Sequence, residues 1–418
     1  MSGTRRAGEP VRLEEEGEVR NVRARYALAT LGVACSMAFG LVACGGDNSS
    51  DSASTGSAST TSGSGGGGND AQSTAKAAIE KGKQVPQFNL DAESFDASKA
   101  SGKTIFNIPV SSAIPYVASV DKEMQKVAKD MGIKWVQFEN QGNPTQWASG
   151  MNQAISQKAD LIILDAGIDP KLLIPQLRRA KQAKIKVLVN HLYQNGESPD
   201  QQILDLIDGY ITVPFHESGE LSVQYAVADG GCDAVKSTLI INAKEVPPSQ
   251  GIVDAMTAKL AELCPDAKPK VVNVPVVDWG TKIAPEVQSA LAADPNIKWV
   301  LPIYDSMSIP AIAGIRGAGK AASVKVASYN GTPDVMKLIE NGDNMAADMG
   351  ENVQWLAYAN MDQAMRILTD GPVIEDGNED TPLRVFDDSN VKEAGAPEYV
   401  KGFGDSYITG YKKLWGVQ

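Results

Sequence analysis

Few side chains in this chain of 418 residues could do covalent or metal chemistry. There are four cysteines, Cys35, Cys44, Cys232 and Cys264, and two histidines, His191 and His216. No two cysteines stand in CxxC spacing, so no Cys/His zinc site is indicated and no metal or cofactor is expected. Residues 314–321, GIRGAGKA, meet the GxxxxGK spacing of a phosphate-binding loop. That mechanism needs a strand before the loop and a Ser or Thr after the lysine to hold Mg²⁺. Here a helical pattern precedes and Ala321 follows Lys320, which reads as a turn ending a helix. No GxSxG elbow and no HExxH pair occurs, so no enzyme chemistry has a constellation to stand on.

Cys44 is the cysteine with the most telling surroundings. Residues 1–25 carry six arginines, and Tyr26 to Ala43 then runs 18 residues without a charge. This is the layout of an export signal, with its basic and apolar regions in order. A membrane-spanning helix is the alternative, and its length would just suffice. Its Gly, Ser and Thr content suits a span poorly. The join Leu41-Val42-Ala43-Cys44-Gly45 resembles a bacterial lipobox, in which a peptidase cuts before the cysteine and the cysteine receives lipid. From Gly45 to Asp70, 19 of 26 residues are Gly, Ser or Thr. Such a tract buries too little apolar surface to offset its ordering entropy, and would reach roughly 28 Å as a flexible tether. We therefore expect a signal at 1–43, a lipidated Cys44 with a disordered linker to 74, and a lead-in segment over 75–102.

The body that follows alternates strand and helix. Short apolar runs at Thr104–Val110, Ile133–Phe138, Asp160–Asp165 and Ile185–Asn190 read as strands. Val117, Val120, Met124, Val127 and Met131 form a helical stripe between the first two. The beat repeats with strands at Tyr210–Val213, Thr238–Ala243, Val271–Val276, Trp299–Ile303 and Val324–Tyr329. The pattern predicts α/β architecture with parallel sheets covered on both faces. More than eight strands over about 300 residues fit two such sheets better than one. Ligands of open α/β sheets lie beyond the carboxyl ends of the strands, so the loops there are where site residues belong. The net charge of −12 argues against a nucleic-acid partner.

Residues 303–349, IYDSMSIPAIAGIRGAGKAASVKVASYNGTPDVMKLIENGDNMAADM, resemble the C-terminal part of type I periplasmic binding proteins, the ribose-binding and lactose-repressor-like sugar receptors. The pair Tyr304-Asp305 and the turn Tyr329-Asn330-Gly331-Thr332-Pro333 carry the likeness, with Pro115-Tyr116 at the first helix start. The resemblance covers about residues 103–390. It implies two doubly wound parallel-sheet lobes joined by a three-crossing hinge near Val213, Glu351 and Thr381. Lobe one would hold 103–213 plus 352–382, and lobe two 214–351 plus 383–418. The repressors' DNA-binding domain is replaced here by the signal and tether.

Site positions follow singly from the same resemblance. The family's sugar-stacking ring falls at Trp279, its turn aspartate at Asn330, and its arginine before the sixth helix near Gln250. Its Asp-Arg pair falls at His191-Leu192 or at Asn190-His191. Read from the residues themselves, Asp305 is a helix N-cap or a ligand contact. Tyr116 and Trp147 are cleft aromatics or packing residues, and Glu351 contacts ligand or stabilises the hinge. With few charges in this set, the expected ligand is a neutral sugar or polyol. The expected role is the solute-binding lipoprotein of an ABC importer, extracytoplasmic, held by its lipid alone and meeting the permease subunits. The alternative is a surface receptor reporting ligand to a signalling partner. A disulfide between Cys232 and Cys264 is expected, because both lie in the exported part.

The anchor is directly testable. Cys44→Ala should leave the signal uncleaved or release the protein from the membrane. Mass analysis of the mature protein should find lipid on Cys44, and an unmodified N-terminus elsewhere would remove the anchor.

Overall fold

A computed structural model describes residues 67–394 and 402–417. Cys44, the signal and most of the tether lie outside the described residues. Within them, the first sheet comprises β1 (Thr104–Pro109), β2 (Lys134–Gln137), β3 (Leu161–Asp165), β4 (Lys186–Gln194) and β5 (Gly209–Val213), in the order β2-β1-β3-β4-β5. The second comprises β6 (Thr238–Asn242), β7 (Lys270–Asn273), β8 (Trp299–Pro302), β9 (Lys325–Asn330), β10 (Met345–Glu351) and β11 (Leu383–Asp387). Its order is β11-β10-β9-β8-β6-β7. Apart from β11, which runs antiparallel to β10, the second sheet repeats the order of the first. Both are doubly wound α/β sheets with one reversal of strand order each.

The residues explain why these elements form. Ile105, Ile163 and Leu188 enter one core, while Phe106, Ile162, Leu164, Val187 and Val189 enter the other. Neighbouring side chains of a strand point to opposite faces, so a strand covered by helices on both sides must be apolar throughout. β3, LIILD, meets that demand and is buried along its length. Helix starts are punctuated as the sequence indicates. Asn143 caps the helix Pro144–Ser156, accepting a hydrogen bond from the Gln146 N–H at 3.0 Å, with Pro144 in the first position. The GIRGAGKA stretch is the end of the helix Ser308–Gly317. A Cβ on Gly314 would come within 2.6 Å of the Ala284 carbonyl oxygen, so glycine there allows close packing on the helix Trp279–Ala293.

Three features depart from the sequence reading. Residues 67–74, expected as linker, are the first half of a helix, Gly67–Gly82, whose Ala71, Ala75 and Ile79 are buried. They pack on the helix Phe215–Val235 of lobe two. The strand β10 carries little strand signal, because MAADMGE lacks β-branched residues. The chain after 383 does not stay with lobe two. β11 does, but the helix Ser406–Leu414 packs on the helix Val353–Leu368 of lobe one. The reason is aromatic: Tyr407 stacks on Trp355 at 4.6 Å and Trp415 on Tyr358 at 5.3 Å.

Cys232 and Cys264 are joined, with Cα atoms 5.4 Å apart and a separation of 32 in sequence. The bond ties the end of the helix Phe215–Val235 to that of Ser249–Leu263. The pair of substitutions Cys232→Ser and Cys264→Ser should cost about 3–4 kcal/mol on the chain-entropy account. Urea unfolding of the oxidised protein and the double variant measures this, and equal midpoints would show that the bond adds nothing.

Candidate functional site

The carboxyl ends of the two sheets approach one another beside the points where the chain crosses between lobes. Three non-glycine residues there hold positive φ: Ala166 (60°) after β3, His191 (50°) within β4 and Asn330 (133°) ending β9. Such conformations are costly for residues with a Cβ and persist where the surroundings over-determine them. At His191 the cause is visible. The β4–β5 register shifts between Val189 and Tyr193, so residues 190–192 bulge from the ladder. A bulge re-aims a side chain, and here it turns the imidazole toward lobe two.

The imidazole meets Glu351, the last residue of β10. Its Nε2 lies 3.3 Å from a Glu351 oxygen, which also accepts a hydrogen bond from the Tyr116 hydroxyl. The Tyr329 hydroxyl lies near the same carboxylate, though outside strict hydrogen-bond geometry. Burial pushes the Glu351 carboxyl up, but the charge and hydrogen bond of His191 and the tyrosine hydroxyls outweigh it and hold it below its ordinary range. The same neighbourhood, with burial first, pushes the Tyr329 hydroxyl well up, so it stays protonated.

From this cluster a continuous series of rings runs into lobe two. Tyr116 lies 5.7 Å from His191, His191 5.0 Å from Phe215, and Phe215 6.3 Å from Tyr329. Tyr304 follows at 6.3 Å and Trp279 at 6.4 Å. The Trp279 indole N–H donates to the Val274 carbonyl at 2.9 Å. What the half-buried ring has left to offer is therefore apolar surface. The Ser249 hydroxyl donates to the Tyr304 oxygen at 3.3 Å.

The remaining expected residues divide. Asn330 sits at the mouth of the second sheet. Gln250 is exposed in the first turn of Ser249–Leu263, and its amide bridges Asn242 at 3.2 Å and Asp254 at 2.8 Å. Asn190 is fully buried; its oxygen accepts from the Ala166 N–H at 2.8 Å, and its side chain also interacts with the buried Asp165 carboxyl. Trp147 and Asp305 are engaged within their own lobes. Trp147 belongs to the core of lobe one, its indole N–H donating to the Val110 carbonyl at 2.9 Å. Asp305 does not cap the helix that follows it. Its buried carboxylate accepts from the Thr332 N–H and hydroxyl, both at 2.7 Å, and from Ser328 at 2.5 Å. Asp348 accepts from the Gly331 N–H at 2.8 Å. Together they fasten the turn that carries Asn330. Burial pushes both carboxyls up, Asp348 further because the Asp305 carboxyl faces it. The sequence reading did not single out Tyr304, Tyr329 and Phe215, whose rings link the Glu351 cluster to Trp279, although the first two lie in its quoted motifs. Among the described residues, no group of three or more His, Cys, Asp or Glu is arranged to hold a metal ion, and no helix is long and apolar enough to cross a membrane.

The family model described as "Periplasmic binding protein domain" matches residues 105–372. The chain belongs to the periplasmic binding protein family. Among proteins it is similar to, the ribose import binding protein RbsB of Salmonella typhimurium is 23% identical over 261 residues, 61% of this chain and 81% of that protein. The D-ribose/D-allose-binding protein of Pseudomonas aeruginosa is 28% identical over 205 residues, 47% of this chain and 59% of that one. Among solved structures, a galactofuranose binding protein matches with a TM-score of 0.61 at 18% identity, covering 72% of this chain and 99% of its own. These likenesses agree with the two-lobed fold.

Glu351 should leave a signature in pH. A carboxyl held below its unfolded value stabilises the fold at pH above the ordinary carboxylate pKa, and that contribution fades as pH falls through the folded value. Glu351→Gln should therefore lower the urea midpoint at pH 7, by roughly 1–3 kcal/mol in stability, and the gap to wild type should narrow toward roughly pH 3, below the ordinary carboxylate range. A gap that stays constant with pH would contradict an ionised Glu351.

Proposed function

We propose that the protein is an extracytoplasmic solute-binding lipoprotein of an ABC importer, taking a neutral sugar or sugar-like polyol between its lobes. The observation that carries this reading is the part-exposed pair Trp279 and Tyr304, 6.4 Å apart, at the end of a ring series whose Tyr116, Phe215 and Tyr329 are themselves packed in the core. The pair lies on lobe two, and amides and hydroxyls with few free charges stand at the strand ends around it. Ring faces suit the C–H surface of a sugar, and amides and hydroxyls suit its hydroxyl groups. The relatives' names point the same way: ribose and allose in the curated proteins, D-allose in a solute-binding protein of Actinobacillus succinogenes and myo-inositol in one of Bacillus halodurans.

A ligand lying between the lobes contacts both only when they close, so binding shifts the population toward the closed form. Periplasmic binding proteins are themselves a general example of hinge closure around a ligand. Trp279 supplies stacking surface, Asn330 and Gln250 hydrogen bonds from lobe two, and Asn190 or His191 from lobe one. Lipid on Cys44 would keep the body near the permease, the tether setting its reach. The protein binds without turnover, and neither nucleic acid nor a second membrane element enters the reading.

A thermal-shift screen of sugars, polyols and nucleosides tests the class, since a ligand of the native state raises its melting temperature. Ribose, allose or myo-inositol should raise it, weakly dependent on salt, and be recovered unchanged. Trp279→Ala should weaken binding of the stabilising sugar by about 1–3 kcal/mol in calorimetry. Wild-type affinity in a folded Trp279→Ala sample would take the stacking role from Trp279. No shift with any sugar or polyol would sink the ligand class.

A further inference from the structure

Two segments that lie outside the matched residues 105–372 cross between the lobes, and we propose that they act as paired straps limiting how far the lobes rotate apart. The first strap starts on lobe two. The helix Gly67–Gly82 packs on Phe215–Val235, with Gln72 donating to the Ala228 carbonyl at 3.1 Å. Lys83 pairs with Asp387 at 2.7 Å, and its carbonyl accepts from Arg384 Nε at 2.8 Å. Only residues 84–87 separate these anchors from Phe88, whose ring lies 6.2 Å from Trp355 and 4.8 Å from Tyr411, on lobe one. Farther on, the Glu93 carbonyl accepts from Arg366 at 2.8 Å, and the Phe95 ring lies 4.6 Å from the Arg366 guanidinium carbon.

The second strap runs beside it in the same direction. Phe403 packs on Phe386 of β11 at 5.6 Å. Residues 404 and 405 then lead to the helix Ser406–Leu414 on lobe one, where the Tyr407 hydroxyl donates to Gln354 at 2.6 Å. The straps are fastened to each other. The Phe88 N–H donates to the Ser406 hydroxyl at 3.2 Å, and the Phe95 N–H to the Leu414 carbonyl at 2.8 Å. Both end on one buried ion pair, Asp362 with Arg366 at 2.5 Å, because the Trp415 indole donates to the other Asp362 oxygen at 2.7 Å.

Slack is the deciding quantity. An extended chain spans at most about 3.3–3.6 Å per residue, so links of two and four residues put a ceiling on how far their packed anchors can separate. Opening far enough would pull Phe88 from between Trp355 and Tyr411 or break Lys83 from Asp387. The straps thus add two short crossings to the three of the hinge and narrow the range of lobe orientations before any ligand arrives. This device does not depend on which ligand the cleft takes.

The test reads lobe separation in the full chain without ligand. Leu172 and Val277 are 53% and 91% exposed on loops after β3 and β7, one per lobe. Spin labels at Leu172→Cys and Val277→Cys, in a chain also carrying Cys35→Ala and Cys44→Ala, report that distance by double electron–electron resonance. The slackened variant carries about five extra Gly/Ser residues, a flexible insert, between Pro86 and Gln87 and again between Gly404 and Asp405. It removes no packed side chain. Phe88→Ala is the second variant, and Val287→Ala, in the core of lobe two away from the straps, controls for general loosening. The expected result is a narrow distribution for the parent and the Val287→Ala control, and a broader one reaching longer distances for the slackened chain and Phe88→Ala. An unchanged distribution in the slackened chain, or equal broadening in the Val287→Ala control, would overturn the proposal.

Discussion

Glu351 ends β10 where the chain leaves lobe two, and it is 4% exposed. An ionised carboxylate in that position has lost most of its hydration, which costs several kcal/mol unless partners replace the water. Its partners come from elsewhere in the fold: Tyr116 at the start of a lobe-one helix, His191 in the bulge of β4, and Tyr329 in β9. Satisfying one buried charge therefore fixes a lobe-one helix, a strained residue of β4 and the carboxyl end of the second sheet against the crossing. The ring series follows from the same requirement, since Phe215 and Tyr304 fill the space beside the partners.

A second buried acid group works within one lobe. Asp305 and Asp348 commit their oxygens to Ser328, Gly331 and Thr332, which sets the turn bearing Asn330. Glycine at 331 holds φ 73°, and a Cβ there would come 3.0 Å from the Gly350 Cα. The turn can approach β10 this closely only without a side chain. Each lobe thus presents a rigid rim, and the freedom that remains is rotation of one rim against the other.

Much of the fold was legible because parallel strands buried on both faces must be runs of apolar residues, and such runs stand out between helical stripes. β10 was hidden by its own composition: Asp348 and Gly350 pair in the ladder, but they are kept for the turn they support rather than for strand propensity. The helix Gly67–Gly82 was hidden by a glycine-rich start, its Ala71, Ala75 and Ile79 meaningful only once a partner helix is present. At the site, the family resemblance led to Trp279, Asn330 and His191, all of which lie toward or just beyond the carboxyl ends of strands. It could not show that Asp305 faces inward or that Trp147 serves the core, because both depend on which way a side chain turns at a strand end. The Tyr329 and Tyr304 rings were passed over for the polar residues beside them in the same motifs.

A sugar held between the lobes would lie against Trp279 and within reach of groups from both lobes. A crystal structure with the most stabilising sugar tests this most directly. The account predicts the sugar ring against Trp279, with hydroxyls bonded to groups of both lobes, among them Asn330 and His191 or Asn190. A sugar bound to one lobe only, or outside the cleft with Trp279 and Glu351 untouched, would contradict it.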